Sequence, residues 1–175
     1  MSHPRFTQTN HVAAMTCRVQ ANIEASADVI WSLLTDADDF PRWNSTIARI
    51  EGRIAEGERL RLHVPGTTRT FTPRVSGVVP GRRMIWSDGV APLFKGVRTF
   101  ILEPQGDGST DFVMEERFSG VIFAVFKTKM PNFRPIFESF ARDLALAAED
   151  LARESEARIS ADVSPDFAHA VSLAS

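Results

Sequence analysis

Apolar residues at three- and four-residue steps predict one long helix over 132–157. Phe133, Ile136, Phe137, Phe140, Leu144, Ala147, Ala148 and Leu151 share one wide stripe on a helix of roughly 37 Å, at about 1.5 Å per residue. Three phenylalanines crowd its first half, and Leu and Ala narrow its second. Asn132 is placed to cap this helix. Pro135 costs little in its first turn, where backbone N–H groups have no intrahelical partner. A stripe of that length must lie on something.

The residues before it alternate with period two and supply strands. Over 15–23, Cys17, Val19, Ala21 and Ile23 fall on one face. Ser26 then caps a short helix, with Asp28 in its first turn and Val29, Ile30, Leu33 and Leu34 on its apolar side, ending near Thr35. The segment DADDFPRWN over 36–44 is turn-rich, with room for one further helical turn, and Pro41 bars a continuous helix. Six more strands are predicted over 47–54, 59–64, 68–79, 82–87, 96–103 and 110–119. Turn signals at 56–58, 65–66, 80–81 and 106–108 separate most of them, and the short gaps imply antiparallel hairpins. Pro73 marks an edge position or a bulge. The apolar run 120–130 has two readings, an extension of the last strand or a lid ahead of the helix. The expected organisation is a flexible arm over 1–14, one domain over 15–157 and a tail over 158–175. FAHAVSLA in that tail is either a short docked helix or frayed.

Composition narrows the function classes. The 175 residues make one domain by size, and 43% apolar and 24% charged residues are ordinary globular values. A net charge of −2 with scattered arginines gives no basic field for nucleic acid. Cys17 stands alone, so no internal disulfide forms, and no Cys/His spacing suggests a metal. Residues 1–15 resemble neither signal peptide nor anchor, and no run approaches the ~20 apolar residues of a membrane span, so a cytoplasmic protein is expected. His63 is the only histidine outside the tails, and there is no tyrosine. A nucleophile–histidine–acid arrangement would have to use His63, whose strand context offers no support. No cofactor is expected.

The order strand, short helices, six antiparallel strands and long helix resembles the helix-grip fold of the START/birch-pollen-allergen (SRPBCC) superfamily. Individual segments carry the likeness. Ile23-Glu24-Ala25-Ser26-Ala27-Asp28-Val29-Ile30-Trp31 resembles the family's strand-to-helix entry, and Phe40-Pro41-Arg42-Trp43-Asn44 its following loop. Gly57-Glu58, Phe71-Thr72-Pro73-Arg74-Val75 and Met84-Ile85-Trp86 are similar to its central hairpins. Gly96 to Phe100 and Glu116 to Gly120 are similar to its last two strands. The likeness covers about 15–155 and is nearest the polyketide cyclase/dehydratase-like branch. It implies an α+β domain in which a seven-stranded antiparallel curved sheet wraps a long C-terminal helix, with two short helices after the first strand. It also implies a cavity between sheet and helix, for a small hydrophobic or aromatic molecule.

Alternation assigns faces within that frame. Phe112, Met114, Glu116 and Phe118 form one inward set; Arg98, Phe100 and Leu102 a second; Met84 and Trp86 a third; Phe71, Pro73 and Val75 a fourth. The expected pocket residues are Trp43, Phe71, Met84, Trp86, Arg98, Phe100, Met114, Glu116, Phe118, Met130, Phe133, Phe137 and Phe140. Any one of these aromatics would serve equally in a filled core; for the set as a whole the resemblance favours the cavity. An inward carboxylate is costly unless paired, and Arg98 is its expected partner, keeping Glu116 ionised as a polar handle; a plain internal salt bridge, or a one-residue slip that puts both outside, are the alternatives. Trp43 is expected to seal the core with its N–H bonded to backbone. Three functions follow from this inventory and from what the resemblance implies. The first is a binding protein acting as carrier, sensor or buffer. The second is a cofactor-free cyclase or dehydratase with Glu116 as the candidate catalytic base. The third is an interaction module resembling activators of the heat-shock chaperone ATPase. Monomer and homodimer both remain open, since an edge strand or 121–126 offers a pairing surface.

Overall fold

Ten alternating residues form the strand around which the large sheet is built. β2 (Ala14–Ile23) buries Met15, Cys17, Val19, Ala21 and Ile23 on one face. It pairs antiparallel with β9 (Thr110–Ser119), which pairs with β8 (Phe94–Pro104), then β7 (Arg83–Val90), then β6 (Arg74–Val79). The structure is a computed structural model and describes residues 3–11, 13–126 and 132–163.

The outer neighbour of β2 lies in what composition marked as an arm. β1 (Arg5–Asn10) pairs residue for residue with β2, from Arg5 opposite Gln20 to Asn10 opposite Met15. Its polar sequence concealed it. An edge strand needs one packed face at most, and Phe6 supplies it, edge-on to the Phe137 ring at 5.8 Å.

The large sheet therefore has six strands, and three short ones form a second sheet, β3 (Arg49–Glu51), β4 (Arg61–His63) and β5 (Thr70–Phe71). The expected single sheet of seven is thus nine strands in two sheets. The predicted strand over 68–79 divides at Thr72-Pro73, where proline lacks the N–H that a ladder needs. Loop bonds hold the two sheets together across that break: Leu60 N–H donates to the Pro73 carbonyl at 2.9 Å and Val75 N–H to the Glu58 carbonyl at 2.8 Å.

Four helices complete the described residues. α1 (Ala27–Thr35) starts where Ser26 Oγ accepts from Val29 N–H, and it buries Ala27, Ile30, Leu33 and Leu34. α2 (Phe40–Trp43) is one turn with Pro41 at its start, braced by the Asp39–Arg42 ion pair, which holds the Asp39 carboxyl below the usual carboxylate range. α3 (Val121–Phe126) decides the ambiguous segment against strand extension. Gly120 ends β9 at φ 121°, and a side chain there would lie 2.4 Å from the Leu93 carbonyl oxygen, so only glycine makes this turn.

α4 (Arg134–Val163) runs past the expected end at 157, so the predicted tail begins as helix. Asn132 Oδ1 accepts from Arg134 N–H at 3.1 Å. Its buried stripe is narrower than predicted. Phe137, Phe140, Ala141, Leu144 and Ala148 are covered, whereas Ile136 is largely exposed because the sheet touches only one strip of the helix. The curved six-stranded sheet and this helix enclose the core. Among the described residues no helix is long and apolar enough to cross a membrane.

Candidate functional site

Register brings four chemically distinct side chains into one row across the sheet's inner face. Cys17 on β2 lies opposite Glu116 on β9, Glu116 opposite Arg98 on β8, and Arg98 opposite Trp86 on β7. Period two then puts apolar side chains on both sides of the row. Phe100, Met114 and Val19 flank it on one side; Met15, Phe118 and Gly96 flank it on the other, in that order across β2, β9 and β8. A side chain at Gly96 would approach Glu116 Oε1 and Phe118 at 3.7–3.8 Å, so glycine leaves room beside the carboxylate.

Arg98 donates to Glu116 Oε2 from both Nε (3.0 Å) and Nη2 (2.6 Å). The two side chains are only 19% and 14% exposed, which makes this the most buried ion pair described. The guanidinium also lies 5.6 Å from the centroid of the Phe137 ring on α4, a cation–π contact. Burial, and secondarily the negative charge of Glu116, push the Cys17 thiol up to about 11. Cys17 is therefore a neutral neighbour of the pair, its sulfur 3.9 Å from Gln8 Oε1 on β1.

The aromatics divide into two groups about this row. Toward α2, Phe40, Phe100, Phe112 and Phe140 have no measurable exposure and pack ring against ring: Phe140 lies 5.9 Å from Phe100 and 6.3 Å from Phe112. Trp86 meets Phe100 edge-on at 5.0 Å, and Trp43 meets Phe140 edge-on at 5.7 Å. That end is filled by side chains. Toward α3, Phe118 stacks on Phe133 at 4.9 Å and on Phe123 at 6.4 Å, with Phe94 behind it at 6.3 Å. Exposed apolar side chains, Val90, Leu93, Val121, Ile122 and Val125, rim this second end. A shallow cavity of about 300 Å³ lies elsewhere, where Ser26 and Asp28 meet Arg82, Gln105 and Thr110.

The predicted residues are distributed accordingly. Met84, Trp86, Arg98, Phe100, Met114, Glu116, Phe118, Phe133, Phe137 and Phe140 all meet in the sheet–helix interior. Trp43 joins them from α2, but without the backbone bond expected of it: its Nε1 is buried with no acceptor. Phe71 falls in the small sheet instead, half-buried with Arg69 stacked over its ring at 5.1 Å. Met130 lies outside the described residues. His63 is bound to Glu51 at 3.2 Å in the small sheet, away from Glu116. Sequence reasoning overlooked Cys17 and Gly96 as neighbours of the pair, and Phe94 and Phe123 as partners of Phe118. Cys17 was legible as an inward residue, yet its place beside Glu116 depends on β2 pairing with a strand from the far end of the domain.

A curved antiparallel sheet closed over one long helix defines a helix-grip domain, here with an ion pair set into its apolar inner face. The chain belongs to the polyketide cyclase / dehydrase and lipid transport family, which matches residues 15–156. Solved structures agree at the level of fold. A Rhodobacter sphaeroides protein superposes with a TM-score of 0.62 at 19% identity, covering 85% of this chain and 99% of its own. A START superfamily protein from Mycobacterium smegmatis gives 0.55 at 20%, covering 79% and 97%. The di-domain ARO/CYC of the steffimycin biosynthetic pathway gives 0.60 at 13%, covering 83% of this chain and 53% of that one. No curated protein matches the sequence.

Proposed function

We propose that this chain binds a small, largely apolar molecule between the large sheet and α4, with Arg98 and Glu116 as its polar handle, and acts as a carrier, sensor or buffer. One observation carries the reading. A hydrogen-bonded ion pair sits on an otherwise apolar face, where well-packed hydrophobic residues would serve stability as well or better. Its other support is the position of the pair. It stands between a filled aromatic layer and an end rimmed by exposed apolar side chains, so a ligand entering beside α3 meets Phe118 and Phe133 first and the charges next.

Native mass spectrometry of the protein purified from its source tests this. A retained small molecule is expected, lost after Phe137→Ala. Protein that carries nothing, and that also fails to bind a panel of apolar fluorescent probes, would refute the proposal.

A second reading makes the same site a cofactor-free cyclase or dehydratase. Both Arg98 bonds go to Glu116 Oε2, which leaves Oε1 beside Gly96 to act as a base. Clear binding of cyclic polyketides with no turnover of any of them would exclude it.

A further inference from the structure

Among the described residues, three buried side-chain hydrogen-bond donors have no acceptor: the indole N–H of Trp43, the indole N–H of Trp86 and the side-chain amide of Asn44. Their residues are 8%, 3% and 4% exposed. An unpartnered donor is expensive, and phenylalanine would fill either indole site without that cost. The three are also neighbours. Trp43 and Asn44 are consecutive at the end of α2, and both indoles pack on one ring, Phe40, at 4.5 and 6.2 Å. Asn44 cannot turn its amide round to relieve itself. Its Oδ1 is already committed to Thr46 N–H at 2.9 Å, Thr46 Oγ1 at 2.8 Å and Ile47 N–H at 2.9 Å, which fixes Nδ2 as a donor.

On the binding reading above, we infer that the ligand carries a neutral carbonyl oxygen, of a ketone, ester or amide, and that Trp86 with the Trp43–Asn44 corner receives it. The chemistry selects this class. Donors without acceptors call for an acceptor and give a hydroxyl donor nothing to bind. A carboxylate or phosphate fits badly, because Arg98, the one cation on this face among the described residues, is already matched by Glu116, so an added anion would be buried without counter-charge. Trp86 stands directly opposite Arg98 in the sheet register, which puts this corner next to the ion-pair row on the same inner face. The three donors are buried in the free chain.

A pair of probes of the same shape separates this from the pocket itself: 9-fluorenone, a tricyclic ketone, and fluorene, its hydrocarbon. Titration by calorimetry is combined with ¹⁵N-labelled tryptophan NMR, with Trp31 as internal control. Fluorenone is expected to bind about tenfold more tightly than fluorene, the scale of one gained hydrogen bond in a buried site. It is also expected to move the indole proton signals of Trp43 and Trp86 downfield while fluorene does not. Trp86→Phe should bring the ratio of fluorenone to fluorene affinity down toward one. Equal binding of both probes, with the indole signals unmoved in the wild-type chain, overturns the carbonyl assignment and leaves the apolar pocket standing. Binding of neither probe removes the pocket and this inference together.

Discussion

Glu116 and Arg98 are two residues whose meaning changes with their surroundings. On an exposed strand they would be an ordinary cross-strand ion pair contributing under about 1 kcal/mol. Here, held on the inner face beneath the Phe137 ring, each is uncompensated if the other is removed. Glu116→Gln keeps the shape and deletes the charge, and it is expected to weaken binding of a polar-headed ligand by ~1–3 kcal/mol. Glu116→Ala should cost more in folding, since it also opens a void. Calorimetric titration and thermal melts of the two variants check both statements; unchanged affinity in Glu116→Gln together with lost affinity in Phe137→Ala would mean a purely apolar pocket.

Cys17 carries a prediction in pH. Its thiol titrates near 11 in the folded chain, against about 9 for an ordinary thiol, because burial and Glu116 oppose the thiolate. The unfolded chain therefore loses its proton first. The neutral thiol's contribution is complete below pH 9, and it declines as pH rises through 11, by up to roughly 2–3 kcal/mol. Thermal melts between pH 8 and 11 should show the wild-type chain falling faster than Cys17→Ala. Parallel curves would contradict the assigned environment.

At the scale of elements, the strands and long helices were readable wherever one face is apolar, and they failed where packing is one-sided or shared. β1 has Phe6 as its anchor and reads as a polar arm; only the exposed edge of β2 makes it a strand. Removing residues 1–11 is expected to lower the melting temperature and to speed reaction of Cys17 with thiol reagents, because Gln8 and its strand cover that sulfur. An unchanged labelling rate would show that β1 shields nothing. α2 is held by a contact that no local pattern announces. Asp143 on α4 accepts from Ser45 N–H at 2.8 Å and Ser45 Oγ at 2.6 Å, fixing the corner that presents Trp43 and Asn44. Asp143→Ala should cost ~1–2 kcal/mol, the loss of hydrogen bonds to a charged acceptor at a half-exposed site. It should also broaden the Trp43 indole signal without moving that of Trp31. Sharp, unshifted tryptophan signals would count against that role for the Asp143–Ser45 bonds.

Across the whole molecule, the core is graded from a rigid end to an open one. Phe140 sits at the centre of the rigid end, within 6.3 Å of Phe40, Trp43, Phe100 and Phe112. Phe140→Ala is expected to destabilise by ~3–5 kcal/mol, as large-to-small changes at fully packed aromatic sites do. Phe133→Ala, at the half-covered end, should cost clearly less while impairing binding more. Chemical denaturation of both variants decides this, and equal costs would erase the distinction between a closely packed end and an open one.

In the sequence, periodicity determined which faces of β2, β7, β8, β9 and α4 point inward, because it is a local property that burial imposes residue by residue, while the helix-grip architecture and the family were legible through the resemblance carried by segments such as 23–31 and 40–44. It also singled out Glu116 and Arg98 as inward charges. Tertiary structure decided the rest. That Cys17, Glu116, Arg98 and Trp86 share one row depends on the pairing of strands from opposite ends of the domain, and on a register that no single strand encodes. That Trp43, Trp86 and Asn44 hold donors without acceptors follows from how α2 settles on β7 and α4, since a hydrogen bond is satisfied or orphaned only by what packs against it.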